Sequence, residues 1–142
     1  MPTTLNPQIV GQAENAHKPL LDRVLSRTGT TKHQWVALKL TALSGGTIDR
    51  AQLIGRITGA LKIPDAAALA ALTELTAAHL LQVQPGEAPT IELTPAGQER
   101  HREIGSAIDE IIARVYGDIP PGDLETAGRV LTLITARLNA EN

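Results

Sequence analysis

Four histidines are the side chains of this sequence best suited to acid–base or metal chemistry, and they lie far apart in the chain, at positions 17, 33, 79 and 101. No pair of them has the HExxH spacing that brings two imidazoles to one metal ion. The carboxylates are scattered, and GxSxG and phosphate-binding glycine loops are absent. The sequence has no cysteine, which excludes disulfides and thiolate chemistry. We therefore predict no catalytic residue, no metal and no cofactor, and we favour a binding function over an enzyme.

Two of the histidines have local surroundings that predict a structural role. His79 takes a helix-end position that is usually given to glycine, so we interpret it as a cap residue. His101 stands among Arg100, Arg102 and Glu103, which predicts a charged surface stretch.

Apolar periodicity and capping residues predict the helices that position these side chains. The second helix carries apolar residues on several sides, so we expect it at the centre of the core. The third and fourth helices, separated by a short break, have the outline of a helix-turn-helix. The predicted starts are Asn6 with Pro7, Thr30 or Thr31, Thr47 or Asp49, and Pro64 with Asp65, the fourth helix ending at about His79.

Two short strand candidates, 80–84 and 90–93, surround a turn at 85–89 and predict a small hairpin or wing. A fifth helix follows the cap formed by Thr94 and Pro95, and a last helix follows Pro120. The predicted fold class is mainly α with a small β-wing, a winged helix-turn-helix with N- and C-terminal dimerisation helices. We expect a single domain over 1–142, with the winged helix-turn-helix lobe at 31–93 and dimerisation helices at 6–27 and 94–139.

The two C-terminal helices carry apolar residues at helical spacing but have no obvious partner within so small a domain. The seams are Ile104, Ile108, Ile111, Ile112 and Val115 in one helix, and Leu124, Ala127, Leu131, Ile134 and Leu138 in the other. A two-fold axis that brings in a second subunit would cover them, so we predict a homodimer. A monomeric bundle with the first helix is the alternative.

Composition gives no global attraction to nucleic acid or to lipid, because the formal net charge is -2. The start, MPTTLNPQIVGQ, has neither a basic nor an apolar leader segment, and no apolar run approaches the ~20 residues of a membrane span. With one Trp, one Tyr and no Phe, the chain is poor in the platforms that stack single-stranded bases. We expect a cytoplasmic protein with no membrane partner.

The order of these elements resembles the MarR family of winged helix-turn-helix regulators across nearly the whole chain. Four strings carry the resemblance: TGTTKHQWVALKLTAL, LTELTAAHLLQV, ELTPAGQER and YGDIPPGDLETAGRVLTLI. The segment LTPAG at Leu93–Gly97, within the third string, is the most diagnostic. The resemblance implies a homodimer, one winged helix-turn-helix per subunit, and a small-molecule pocket between the dimer helices and the DNA-binding lobe.

The resemblance also places candidate residues in that pocket, namely His17, Leu21, His33, Trp35 and Leu38. His17 lies on an apolar seam of the first helix. It is either a polar group of the pocket or a buried histidine satisfied by a backbone carbonyl. For Trp35, a core anchor is the alternative to a ligand platform.

The chain departs from the family at the positions that should read DNA, which are Ala66, Ala67, Leu69, Ala70 and Glu74. Base edges are read by hydrogen bonds, and alanine offers only contact with a thymine methyl. The wing string QPGEAPTIE lacks the arginine that the family usually carries there. Between Lys62 and Arg100 there is no Lys or Arg, whereas Asp65, Glu74, Glu87 and Glu92 lie inside this window.

Three interpretations of function remain open. Phosphate contacts from flanking cations could still support a MarR-like, small-molecule-responsive regulator that binds double-stranded DNA weakly. Alternatively, the protein has lost DNA binding and uses its pocket to bind or transform a small molecule. In a third interpretation the alanine-rich fourth helix is a protein-interaction surface. The flanking cations are Lys32, Lys39, Arg50, Arg56 and Lys62.

Overall fold

The computed structural model describes residues 3–142, which form six helices and three short strands. In chain order these are α1 (Pro7–Ser26), α2 (Lys32–Leu43), β1 (Thr47–Asp49), α3 (Arg50–Leu61), α4 (Asp65–Ala77), β2 (Leu81–Gln84), β3 (Thr90–Leu93), α5 (Pro95–Tyr116) and α6 (Pro121–Glu141). The chain divides into two compact units, one ending at Ile108 and the other spanning Asp109–Asn142.

The first three helices begin at side-chain caps that satisfy backbone N–H groups otherwise left without a partner. The side chain of Asn6 accepts a hydrogen bond from the Ile9 amide at 3.0 Å, as predicted. Thr31 and Gln34 form a reciprocal capping box at the start of α2, which settles the choice between Thr30 and Thr31.

The sheet has three antiparallel strands in the order β1-β3-β2, and β1 was not predicted from the sequence. Thr47 does not start the third helix, because residues 47–49 pair with β3 and Asp49 caps α3 through the Gln52 amide at 2.9 Å. A strand of three residues has too few positions to show an alternating pattern. Its partner β3 lies more than 40 residues away, with Ile48 opposite Ile91.

The core of the first unit forms around α2, which packs against α1, α3, α4 and the sheet. Val36, Ala37 and Leu38 are buried on α2, as expected for a central helix. Leu53 and Ile57 of α3 meet them there. The remaining members of the cluster come from α4, from the strands and from the turn before β2, and are Ile48, Ala68, Leu72, Leu75, Leu80, Leu81, Ile91 and Leu93.

The LTPAG string joins the end of the wing to α5 through a tight set of contacts. The Thr94 hydroxyl donates to the carbonyls of His79 and Leu80, at 2.7 and 3.0 Å, and accepts from the Gly97 amide at 3.0 Å. A Cβ built on Gly97 would overlap the Leu80 carbonyl oxygen. Glycine at this position therefore permits close approach of α5 to the turn before β2.

His79 has a backbone φ of 61°, in the left-handed region where glycine is favoured. This conformation ends α4 and turns the chain into β2. The interpretation of His79 as a helix-end cap residue is confirmed.

The second unit consists of the end of α5 and the whole of α6. None of the residues Pro121–Glu141 is buried. Leu131, Leu133 and Leu138 are exposed on α6, and Ile112 and Val115 are exposed on α5. Within residues 3–142, no helix combines the length and apolar character that crossing a membrane requires.

Candidate nucleic-acid interface and ligand site

The outer face of α4 presents small and apolar side chains at the positions expected to read DNA. Ala66, Leu69, Ala70 and Glu74 are exposed and Ala67 is half-buried. The opposite face anchors the helix in the core through Ala68, Ala71, Leu72 and Leu75. Helix periodicity therefore fixes which residues point outward, and four of the five outward positions carry no hydrogen-bonding side chain.

Glu74, the fifth of these positions, holds α4 against α2. Its Oε1 accepts a hydrogen bond from Nε2 of Gln34 at 3.0 Å. Gln34 also caps α2 through the Thr31 amide. The carboxylate is thus part of a surface contact between two helices, and its charge lies on the face where a DNA reader would carry a cation.

The wing is the hairpin of β2, β3 and the loop 85–89. The side chain of Gln84 donates to Glu92 at 3.0 Å across the hairpin. Glu87 is exposed in the loop, and no residue of the hairpin is basic. We use the term acidic window for residues 63–99, which cover α4 and the wing and contain no Lys or Arg.

The predicted phosphate-contacting cations lie around this window on α2 and α3. Arg50, Arg56 and Lys62 are exposed, whereas Lys39 is half-buried. Lys32 Nζ is 3.9 Å from Glu14 Oε1. The predicted phosphate-contacting cations that are exposed therefore lie mainly on α3 and at its C-terminal end.

A groove runs between α4 and the wing and has a volume of about 380 Å³. Leu72 and Ile91, both buried, are among its lining residues, and Leu69 and Val83 line it while remaining 42% and 39% exposed. The other lining residues are Arg50, Thr73, Thr76 and Ala77. We call this feature the α4–wing groove.

A second groove, of about 440 Å³, separates the start of α2 from the outer face of α4. His33 lies here, opposite Ala67, Ala70 and Glu74. The structure thus brings one predicted pocket residue together with three predicted DNA-reading positions. The other lining residues are Thr31, Lys32 and Ala71.

The indole of Trp35 stacks on the imidazole of His101, with ring centroids 5.4 Å apart and planes inclined by 18°. Trp35 is only 6% exposed and His101 is half-buried, so the prediction that His101 lies on a charged surface was wrong. Next to it, Arg100 Nη1 donates to Thr30 Oγ1 at 3.2 Å.

Helical spacing along α5 explains why the surface prediction for His101 failed. The positions Gly97, His101, Ile104 and Ile108 follow each other by four, three and four residues and share one face of the helix. Gly97 and Ile104 are buried, so His101 turns inward between them. The charged neighbours at Arg102 and Glu103 lie on the exposed side, where Arg102 pairs with Glu99.

The remaining predicted pocket residues have different environments. Leu38 is fully buried in the core cluster, and Leu21 is half-buried on α1. His17 is exposed rather than buried, and its Nδ1 lies 2.6 Å from the Ala13 carbonyl oxygen. Among the described residues no group of three His, Asp or Glu side chains is arranged to hold a metal ion.

Comparison with known proteins gives matches only among solved structures, since no protein-family model and no curated protein matches the chain. NadR in complex with 4-hydroxyphenylacetate superposes with a TM-score of 0.76 at 22% identity, covering 94% of this chain and 96% of NadR. A MarR-family transcriptional regulator from Silicibacter pomeroyi gives 0.77 at 16% identity, covering 92% and 88%.

CouR from Rhodococcus jostii RHA1 bound to p-coumaroyl-CoA gives a TM-score of 0.77 at 13% identity, with 89% of each chain covered. These structure neighbours are MarR-family regulators. The expected fold class is confirmed, because the chain is mostly helical with a small antiparallel sheet and superposes on winged-helix structures of the MarR type.

Proposed function

We propose that this protein is a homodimeric, small-molecule-responsive transcriptional regulator of the MarR type whose DNA binding is weak and only slightly dependent on sequence. The observation that carries the proposal is the contrast between a complete winged helix-turn-helix lobe and the chemistry of its outer face. The helices and the wing are in place, but α4 presents Ala66, Ala70 and Leu69 where base-reading side chains are needed.

Base recognition needs donors and acceptors that reach the major-groove edges, and a good bidentate pair contributes about 1–3 kcal/mol of discrimination. The exposed alanines and the leucine cannot form such pairs. Non-specific affinity depends on cations that displace counterions from phosphate, and the acidic window offers none. Base recognition and non-specific affinity for phosphate are therefore both reduced on this surface.

The cations of α3 supply the remaining attraction for DNA. Arg50 and Arg56 are exposed on this helix and Lys62 follows its last residue. Phosphate contacts of this kind fix the position of a protein on the duplex without selecting a sequence. They support weak double-stranded DNA binding with strong salt dependence.

For the small molecule, we propose a site at the stacked pair Trp35 and His101. Arg100, the residue before His101, carries a guanidinium that donates a hydrogen bond to Thr30 at 3.2 Å. An aromatic platform beside a guanidinium suits an aromatic carboxylate, which it can stack and pair with. NadR was solved with 4-hydroxyphenylacetate, a ligand of this class. His17, Leu21, His33 and Leu38 stay predictions as pocket residues.

Homodimerisation is supported by the apolar side chains that α6 leaves exposed. Leu131, Leu133 and Leu138 are 38–59% exposed along a helix with no buried residue. Leu131 and Leu138 are seven residues apart and share one face of α6, and exposed apolar side chains that share a face are usually covered by a partner. A second copy related by a two-fold axis provides matching leucines.

A gel-shift titration against the upstream region of the protein's own gene tests the proposal. We expect a shift at low salt and micromolar protein, with a scrambled duplex of equal length shifted at a similar concentration. Aromatic carboxylates are then added to the shifted complex, and a regulator should respond to one of them by a change in the shift. Absence of any shift would contradict the proposal and favour a winged-helix protein that uses its pocket without DNA.

A further inference from the structure

We propose that the α4–wing groove docks a basic amphipathic helix from a protein partner. This inference goes beyond the proposed function, because it concerns a different surface from the Trp35 and His101 site and a different class of partner from DNA. It rests on the shape and apolar lining of the groove and on the charge of the elements that form it. The groove shares Leu69 and Arg50 with the face proposed to meet DNA, so the partner and DNA would compete for it.

The groove has the composition of a helix-binding surface. Leu69 and Val83 are accessible apolar side chains on its two sides, one from α4 and one from β2, and they stand 42% and 39% exposed. Buried Leu72 and Ile91 also line it. Its volume of about 380 Å³ leaves room for apolar anchors of a partner helix.

The spacing of the lining residues on α4 also favours a helical partner. Leu69, Thr73 and Thr76 follow each other by four and three residues, so they form one ridge along the helix. A partner helix can lay its own i, i+3, i+4 and i+7 side chains beside such a ridge. The threonines are short, and they leave the space between Leu69 and Val83 open.

The charge of α4 and the wing favours a basic partner. Asp65 of α4 and Glu87 of the wing loop are exposed, and no Lys or Arg occurs in the acidic window that supplies α4 and both strands of the wing. A partner with Lys and Arg beside its apolar stripe would meet complementary charge on these elements, whereas an acidic partner would meet like charge.

Arg50 is the cation among the lining residues, and it begins α3. It suits the C-terminal end of a docked helix, where the helix dipole places partial negative charge. The same residue therefore favours one direction of docking over the other.

The test uses two synthetic fluorescein-labelled peptides of about 15 residues, roughly four helical turns. Both have leucine at positions i, i+3, i+4 and i+7 of a helix. One carries Lys and Arg at the remaining positions and the other carries Glu. Fluorescence anisotropy with the full chain should give at least about tenfold tighter binding of the basic peptide at low salt.

Substitution locates the binding. The double variant Leu69→Ser with Val83→Ser should weaken binding of the basic peptide at least about tenfold, since both anchors are lost. Leu43→Ser is the matched control, because Leu43 is an exposed leucine at the end of α2, outside the groove. The Leu43→Ser variant should bind the basic peptide as tightly as the parent protein does. Both substituted groove residues are surface-exposed, and circular dichroism checks that the variants fold.

Four results would overturn the inference. The first is equal binding of the basic and acidic peptides, and the second is undiminished binding to the Leu69→Ser, Val83→Ser variant. The third is a difference in oligomeric mass between the parent protein and that variant, measured by light scattering. Such a difference would show that a second copy of the chain covers the groove. Displacement of the peptide by unlabelled duplex DNA, with matching loss of DNA binding in the variant, would likewise assign the groove to DNA.

Discussion

The stacked rings of Trp35 and His101 connect the central helix of the winged-helix lobe to the helix that leaves it. Trp35 belongs to α2 and His101 to α5, and their ring centroids are 5.4 Å apart. Any ligand that enters between these helices must contact or separate the pair. Because Trp35 is the only tryptophan, its fluorescence reports directly on the stack.

We predict that His101→Ala lowers the free energy of unfolding by about 1 kcal/mol, the range typical of a stacked aromatic pair. His101→Phe should retain most of that stability because it keeps a planar ring. Urea denaturation followed by circular dichroism measures both. His17→Ala is the control, since His17 is exposed, and it should change stability much less. Equal losses for the two alanine variants would show that the stack contributes nothing.

A second prediction concerns the glycine of the LTPAG string. Gly97→Ala should destabilise the protein by about 1–3 kcal/mol, because its Cβ would overlap the Leu80 carbonyl oxygen and force a backbone shift. Gly105→Ala is a matched control in the same helix, where a Cβ meets no atom within 4 Å. It should leave stability unchanged or raise it by about 0.5–1 kcal/mol. Thermal unfolding of both variants measures the contrast, and similar melting temperatures would refute the close-packing explanation.

A third prediction tests the role of α6. The parent protein should have the mass of a dimer by light scattering, and Leu131→Glu combined with Leu138→Glu should reduce it to a monomer, because each glutamate would place a charge in an apolar interface. Leu43→Glu, an exposed leucine of α2, should leave the dimer intact. A monomeric parent, or a dimer that persists in the double variant, would remove α6 from the interface.

A fourth prediction reverses the charge of the wing. Glu87→Arg should strengthen binding to any duplex and steepen the dependence of log K on log salt by about two, the slope expected for one added phosphate contact in each subunit of a dimer. Glu125→Arg on α6 changes the net charge equally and leaves the wing sequence unaltered. It should leave the slope as it is. If the two variants gave the same slope, the wing would not approach the DNA backbone.

Sequence patterns predicted the fold where local signals were strong. Asn6 and Thr31 are cap residues that their own helices require, and the structure confirms both. The wing was also predictable, because its strands flank a proline- and glycine-containing turn. β1 was not, because three residues are too short for a periodic signal and their partner strand is distant in sequence.

The candidate site was harder to predict because it depends on which residues of different helices meet. His101 was missed because its charged sequence neighbours suggested a surface, although the spacing of Gly97, Ile104 and Ile108 places it on the inner face. His33 lines a groove with α4, which its sequence neighbours did not indicate. The α4–wing groove has no sequence signature, since Leu69 and Val83 become neighbours only through packing of the hairpin against α4.

The proposed slight dependence of DNA binding on base sequence is tested most directly by the specificity ratio of this winged-helix lobe. Fluorescence anisotropy compares the upstream duplex of its own gene with a scrambled duplex at about 50 and 200 mM salt. We predict affinities within about tenfold of each other at either salt concentration, far below the roughly 10³–10⁷ ratio of specific DNA-binding proteins. A preference of a thousandfold or more for the upstream duplex would contradict the claim.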